Sequence, residues 1–321
     1  LSVQNDREWA RLCAALGAPE MAGKGGFATN DERVRNRPET DGFVPTEDME
    51  VAMTTSTLSL SFDGLPELGP DFVYEGWILV DDAPVTTGRF TVTDGVLEPA
   101  TFEVDAEQAA AASAFVLTIE PAVGDDPAPT DTHVLAGDLA AGSASLTIGH
   151  AAALGDDFSG AAGTFLLATP TSEATDDDAQ GIWYVDPSGD APMASLTLPT
   201  LPAGWAYEGW VVDVSGDEPA PVSTGTFLVF DAADSDGAGA TAGPGDAPPF
   251  PGQDFIDPAR DLTVDHMAVI SIEPVPDDSP APFQLKPLAV GIGAGVGMAN
   301  PHTFDLAIAD NTISGTATFG E

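Results

Sequence analysis

Two stretches of this chain carry the same blocks in the same order, and that repetition limits the fold more than any other feature. The first is SLSFDGLPELGPDFVYEGWILVDDAPVTTGRFTV, from Ser59 to Val92, and the second is SLTLPTLPAGWAYEGWVVDVSGDEPAPVSTGTFLV, from Ser195 to Val229. Each then reaches an apolar run that ends in an acid and a proline: FVLTIEPAVGDDPAP (Phe115 to Pro129) and MAVISIEPVPDDSPAP (Met267 to Pro282). The spacing of matched residues widens along the second stretch, mostly between Asp231 and Asp261. That run is rich in Gly, Pro and Asp with no regular apolar period, and it reads as a long surface loop.

The repeated blocks are short runs of Val, Ile, Leu, Thr and Phe bounded by Gly, Pro and Asp, which is the pattern of strands and turns. FVYEGWILV is apolar on both faces of a period-2 strand except at Glu75, so it is expected at the centre of a sheet covered on both sides. Connections this short suit antiparallel sheets packed face to face. The expectation is therefore an all-β chain. Its two immunoglobulin-like antiparallel β-sandwich domains stand in tandem over residues 54–186 and 187–321, preceded by a linker at 43–53 and a helical segment at 1–42.

The N-terminal segment has a different character. In NDREWARLCAALGAPE, Trp9, Leu12, Cys13 and Leu16 follow helical spacing, with Asn5 or Asp6 as the cap and Gly17 as the stop. Charge changes at the same boundary. The chain holds 52 acids against nine bases, a net charge of −43, yet Arg7, Arg11, Lys24, Arg33, Arg35 and Arg37 all lie in this segment. So acidic a body repels nucleic acid and anionic membrane, and it fits a halophilic or otherwise salt-adapted surface protein as well as an ordinary acidic one. One cysteine, Cys13, excludes an internal disulfide or a cysteine-based metal site. No window has the roughly 18 apolar residues of a membrane span, so no membrane insertion is expected, and any signal or anchor would lie upstream of Leu1.

Over residues 1–40, Asn5, Asp6, Trp9, Leu12, Cys13, Leu16, Phe27 to Asn30, Arg33, Val34, Asn36 and Arg37 give a run that resembles a fragment of the class III CoA-transferases. The nucleophilic carboxylate of that family has no counterpart here, so the resemblance implies a remnant without catalytic role. If the fragment is functional, the chain is instead a CoA-transferase-linked protein.

From Ser59 onward the block order resembles the C-terminal, extracytoplasmic domain of the anti-sigma-K factors, twice over. The matching blocks are Leu65 to Leu68, Tyr74 to Trp77, Val85 to Phe90 and Glu120 to Pro129, then Leu201 to Pro202, Tyr207 to Trp210, Val222 to Phe227 and Glu273 to Pro282. The resemblance implies a non-enzymatic, extracytoplasmic or cell-surface module for binding, sensing or structure, with a protein or surface ligand as partner and no cofactor.

Candidate chemistry is sparse. His133, His150, His266 and His302 lack the spacing of a zinc site or a nucleophile relay. Asp231, Asp234 and Asp236 form a D-x-x-D-x-D-G cluster whose oxygens suit calcium, as a calcium-stabilised adhesin would need, but the spacing misses the EF-hand pattern and fits a solvated acidic turn better. Tyr74, Glu75 and Trp77 recur as Tyr207, Glu208 and Trp210. A carboxylate on such a strand must be paired. The expected role for Glu75 and Glu208 is therefore structural, as acceptors for the backbone amides of a neighbouring turn, and Arg89 is an ion partner available to the first alone.

Overall fold

The computed structural model describes residues 9–10, 13, 22–23, 54–174, 176–277, 279–295, 297 and 300–320. Two compact units divide the chain, Leu1–Thr54 and Thr55–Glu321. In the first, Trp9, Ala10 and Cys13 are helical, with Trp9 and Cys13 buried and Ala10 exposed, as the apolar spacing requires. Leu12, Leu16 and the CoA-transferase-like residues from Phe27 to Arg37 lie outside the described residues.

The second unit is nearly all β. Its strands begin with β1 (Thr55–Asp63), β2 (Phe72–Val80), β3 (Ala83–Thr93), β4 (Val96–Glu98) and β5 (Thr101–Asp105). A six-residue helix, Ala106–Ala111, is capped by the Asp105 carboxylate, which accepts from the Gln108 amide. Then come β6 (Ala112–Pro121), β7 (His133–Asp138) and β8 (Ser143–Thr147). Four two-residue strands follow: β9 (Thr164–Phe165), β10 (Ile182–Trp183), β11 (Val185–Asp186) and β12 (Met193–Ala194). The remainder is β13 (Trp205–Asp213), β14 (Ala220–Phe227), β15 (Gly252–Gln253), β16 (His266–Pro274), β17 (Leu288–Ile292), β18 (His302–Thr303), β19 (Asp305–Leu306) and β20 (Ser314–Phe319).

Two antiparallel sheets dominate, with orders β4-β3-β2-β6-β7-β8-β20-β1-β5 and β14-β13-β16-β17-β19. β2 and β13 hold equivalent places. β2 pairs Tyr74 with Phe90 of β3 and with Ile119 of β6, while β13 pairs Tyr207 with Phe227 of β14 and with Ile272 of β16. A bulge interrupts each hairpin beside the YEGW glycine, between Gly76 and Trp77 and between Glu208 and Trp210. The opposing strands carry Gly88 and Gly225 at φ +132° and +99°, a backbone that only glycine adopts without strain, which explains the repeated T-G.

Both YEGW strands are covered on two faces, as their apolar sequence demands. Tyr74 and Ile78 enter the main core, whereas Trp77 packs with Val116, Ala136 and Ala153 on the other face. Tyr207 and Val211 enter that same core, and Trp210 packs with Val212 and Val269 opposite.

The core is continuous across the second unit, joining Tyr74, Phe90 and Phe115 to Tyr207, Phe227 and Ile270 through Phe165, Tyr184 and Phe304. A second tie crosses residue 186. The last strand, β20, lies between β8 and β1, with Ala317 opposite both Leu60 and Ala144. Small residues make this insertion fit, since a Cβ on Gly315 would stand 2.4 Å from the Phe62 ring.

The loop at 231–261 does not stay on the surface throughout. Gln253 pairs with Ile182, and Asp254 is fully buried, accepting from the Trp183 indole at 2.7 Å and from the Thr171 amide at 2.7 Å. The loop folds inward because one aspartate there satisfies buried donors that the surrounding segments leave open.

Candidate functional site

Each YEGW strand organises the same chain of polar contacts. The Tyr74 hydroxyl donates to the Pro66 carbonyl at 2.9 Å, and the Tyr207 hydroxyl to the Pro199 carbonyl at 2.7 Å. The block equivalent to Leu65–Leu68 is therefore Leu198–Leu201 and not the Leu201–Pro202 expected from the turn residues. Trp77 donates its indole N–H to the Thr118 hydroxyl at 2.9 Å, and Trp210 donates to the Ser271 hydroxyl at 2.8 Å. Each hydroxyl passes a hydrogen bond to a carboxylate two residues on, Glu120 or Glu273. That carboxylate then accepts the backbone amide of the following turn, Thr130 N at 2.9 Å or Phe283 N at 2.9 Å.

The amide acceptors are thus Glu120 and Glu273, correcting the expectation placed on Glu75 and Glu208. A strand geometry explains the exchange. Glu75 and Glu208 point across the hairpin, where Glu75 accepts from the Thr86 hydroxyl and Glu208 from the Ser223 hydroxyl. The amide-bearing turns instead follow β6 and β16, the strands that carry Glu120 and Glu273.

Charge balance separates the two places. Arg89 stands directly opposite Glu75 across the β2–β3 hairpin and donates from Nε at 2.9 Å. It also reaches Asp125 at 2.8 Å and the Pro121 carbonyl at 2.6 Å. Thr226 occupies the position opposite Glu208. Burial raises the pKa of Glu120 and Glu208, and it pushes Glu273 up to about 7, helped by the nearby Asp277 and Glu208 carboxylates. One carboxylate oxygen from each of Glu208, Glu273 and Asp277 lies within 4.8 Å of the others.

The acidic cluster singled out in the loop is brought together in part. Asp234 and Asp236 both crowd Gly225, and the Asp234 carboxylate accepts from Gly252 N at 2.8 Å. Burial, with Asp236 alongside, pushes Asp234 up to about 7. Asp231 is exposed, and no described contact joins it to them.

The four histidines have separate surroundings. His133 Nδ1 meets the Ala152 carbonyl at 2.8 Å, and His302 packs edge-on against Phe165. His150 lies 3.4 Å from Asp138, and His266 meets the Val264 carbonyl with Asp213 at 3.9 Å. No nucleophile lies beside any of them in these contacts.

Sequence reasoning missed Thr118, Glu120, Ser271 and Glu273 as a set. A signal was available, since T-I-E-P and S-I-E-P keep a hydroxyl two residues before the acid, on the same face of a strand. Asp254 gave no such signal, because it lies within a loop and acts on residues far from it in sequence. Chemically, the relays can hold strands and turns in register. They present no activated nucleophile.

The family model described as anti-sigma-K factor rskA, C-terminal, matches residues 14–134. The match includes the first YEGW strand and ends before the second. It also begins within the N-terminal segment, residues 1–42. No curated protein matches the chain, and no solved structure does. No helix among the described residues is long and apolar enough to cross a membrane.

Proposed function

We propose that residues 54–186 and 187–321 are a tandem duplication of one all-β module related to the anti-sigma-K factor C-terminal domain. The chain acts as a non-enzymatic extracytoplasmic module for binding, sensing or structure. The observation that carries this reading is that the polar side chains shared by the two stretches are spent on holding strands and turns. Tyr74 and Tyr207 tie down the preceding turn, and the Trp–hydroxyl–Glu relays tie down the following one. A site kept for catalysis would repeat a reactive constellation instead.

Location on the outer side is tested by treating intact cells of the source organism with a protease that cannot enter. Cleavage of the chain without lysis is expected, and protection until lysis would refute the reading. The acidic surface belongs to the same proposal as an adaptation to salt. Molar KCl should raise the melting temperature, because it shrinks the Debye length to roughly 3 Å and screens the self-repulsion of a chain of net charge −43.

A further inference from the structure

Gly88 and Gly225 stand at the same position of the two hairpins, and different chemistry packs against them. A Cβ on Gly88 would lie 2.6 Å from the Phe102 ring, whereas one on Gly225 would lie 2.4 Å from Asp236 Oδ1 and 2.9 Å from Asp234 Oδ1. An apolar side chain fills the place in the first stretch, and two carboxylates fill it in the second. The two acids meet each other directly. Asp234 Oδ1 is nevertheless buried without a hydrogen-bond donor among the described residues. The bases of the second unit are engaged elsewhere, Arg89 with Glu75 and Asp125, Arg260 with Asp213, and Lys286 with the Gln284 carbonyl.

A second orphan acceptor lies beside this pair. Gln253 is only 6% exposed, and its Oε1 also has no partner among the described residues. Contacts on both sides of Gln253 tie it to the acids. The preceding amide, Gly252 N, donates to Asp234 Oδ2 at 2.8 Å. The Gln253 side chain itself lies against Gly239, whose amide donates to the Asp236 carbonyl at 3.2 Å. Buried acceptors are costly to leave unpaired, and here two of them adjoin a third oxygen ligand on Asp236.

We propose that Asp234, Asp236 and Gln253 bind a calcium ion that pins the 231–261 loop to β14 and β15. Carboxylate and amide oxygens are the donors that calcium takes, and two carboxylates balance its charge. A cation at this place would satisfy Asp234 Oδ1 and Gln253 Oε1 together. Exposed Asp236 leaves the outer side open to water ligands. Asp231 stands outside the site, since no described contact joins it to the pair.

The test uses the full chain, stripped with EDTA and held in molar KCl so that diffuse binding to the acidic surface is suppressed. Calcium chloride titrated by calorimetry should show a saturable site and raise the melting temperature. Asp236→Asn should weaken binding at least tenfold while melting in EDTA no lower than the parent, because its amide gives Asp234 Oδ1 a donor. Gln253→Glu places a charge on the same donor atom, so it should tighten calcium binding and lower the melting temperature in EDTA. Asp231→Asn should bind as the parent does. Terbium luminescence excited through tryptophan gives a second readout, since the Trp183 ring lies close to Gly252. It should appear in the parent, be displaced by calcium and be lost in Asp236→Asn. Were the two acids bridged by a proton alone, the melting temperature would fall as pH rises toward 7 and calcium would not restore it. That result, or a calcium response equal in the parent and Asp236→Asn, would overturn the proposal.

Discussion

The strands β2 and β13 invite comparison because they share a hydrogen-bond scheme and differ in one charge. Both anchor a tyrosine hydroxyl on a proline carbonyl eight residues back. Both stack that tyrosine on a phenylalanine of the next strand, with ring centroids 5.5 Å apart in one and 6.0 Å in the other. Both send the tryptophan N–H through a hydroxyl to a buried glutamate. Only β2 has an arginine opposite its own glutamate. Polar groups that satisfy the backbone are thus kept in both, while the charge that balances the carboxylates is kept in one. Losing a backbone partner leaves a buried donor unpaired, whereas a buried carboxylate that loses its arginine can take up a proton instead.

The largest expected effect tests whether these strands belong to one body. β20 supplies a ladder to both β1 and β8, and its Ala317 is fully buried. Ending the chain at Thr312 should abolish cooperative unfolding followed by circular dichroism. A truncated chain that keeps a sharp transition would show that the first sheet closes without its last strand.

Next in size is the loss of either tryptophan. Trp77→Ala and Trp210→Ala should each cost about 3–5 kcal/mol, the usual range for emptying such a site. Because the core is continuous, urea unfolding should shift as one transition in both variants. Two separated transitions would break the comparison by showing that each stretch unfolds alone.

The pH dependence sharpens it further. A buried glutamate whose folded pKa is raised binds its proton more tightly in the folded state. Its stabilising effect is complete below the unfolded value of about 4.5 and is lost as pH rises toward the folded value. For Glu273, pushed up to about 7, the window runs from about pH 4.5 to 7, and the loss is on the order of 3 kcal/mol. In EDTA, Glu273→Gln should flatten the fall in melting temperature across that window. Glu120→Gln should flatten it less, since Arg89 stands close to its trio. Equal flattening would mean that the arginine does not distinguish the two places.

The smallest effect concerns the tyrosine hydroxyls. Tyr74→Phe and Tyr207→Phe each remove one hydrogen bond to a proline carbonyl and should cost about 1 kcal/mol in chemical denaturation.

How much of this was legible in the sequence follows from the range of each interaction. The YEGW strands, their hairpins and their central position could be read because strand periodicity and turn residues act locally. The all-β class followed from the same local patterns. The insertion of β20 could not be read, since Ser314 to Phe319 is an ordinary short strand whose partners lie more than 160 residues earlier. Register between such distant strands is set by packing, as at Gly315 against Phe62. At the candidate site, the identity of Glu75 and Arg89 as partners was visible from the hairpin. The roles of Glu120 and Glu273 were not, because a carboxylate's acceptor work depends on which turn amides face it in three dimensions.

The two strands carry one hydrogen-bond scheme, with Arg89 opposite the glutamate in the first and Thr226 at that position in the second. Thermal unfolding of Arg89→Thr and Thr226→Arg in calcium-free buffer at pH 7 tests this most directly. Removing the arginine should lower the melting temperature, because Glu75 and Asp125 lose their shared partner. Adding one opposite Glu208 should raise it, because the Glu208 carboxylate gains a cation across the hairpin. Shifts of the same sign, or no shift in Thr226→Arg, would contradict the equivalence of the two places.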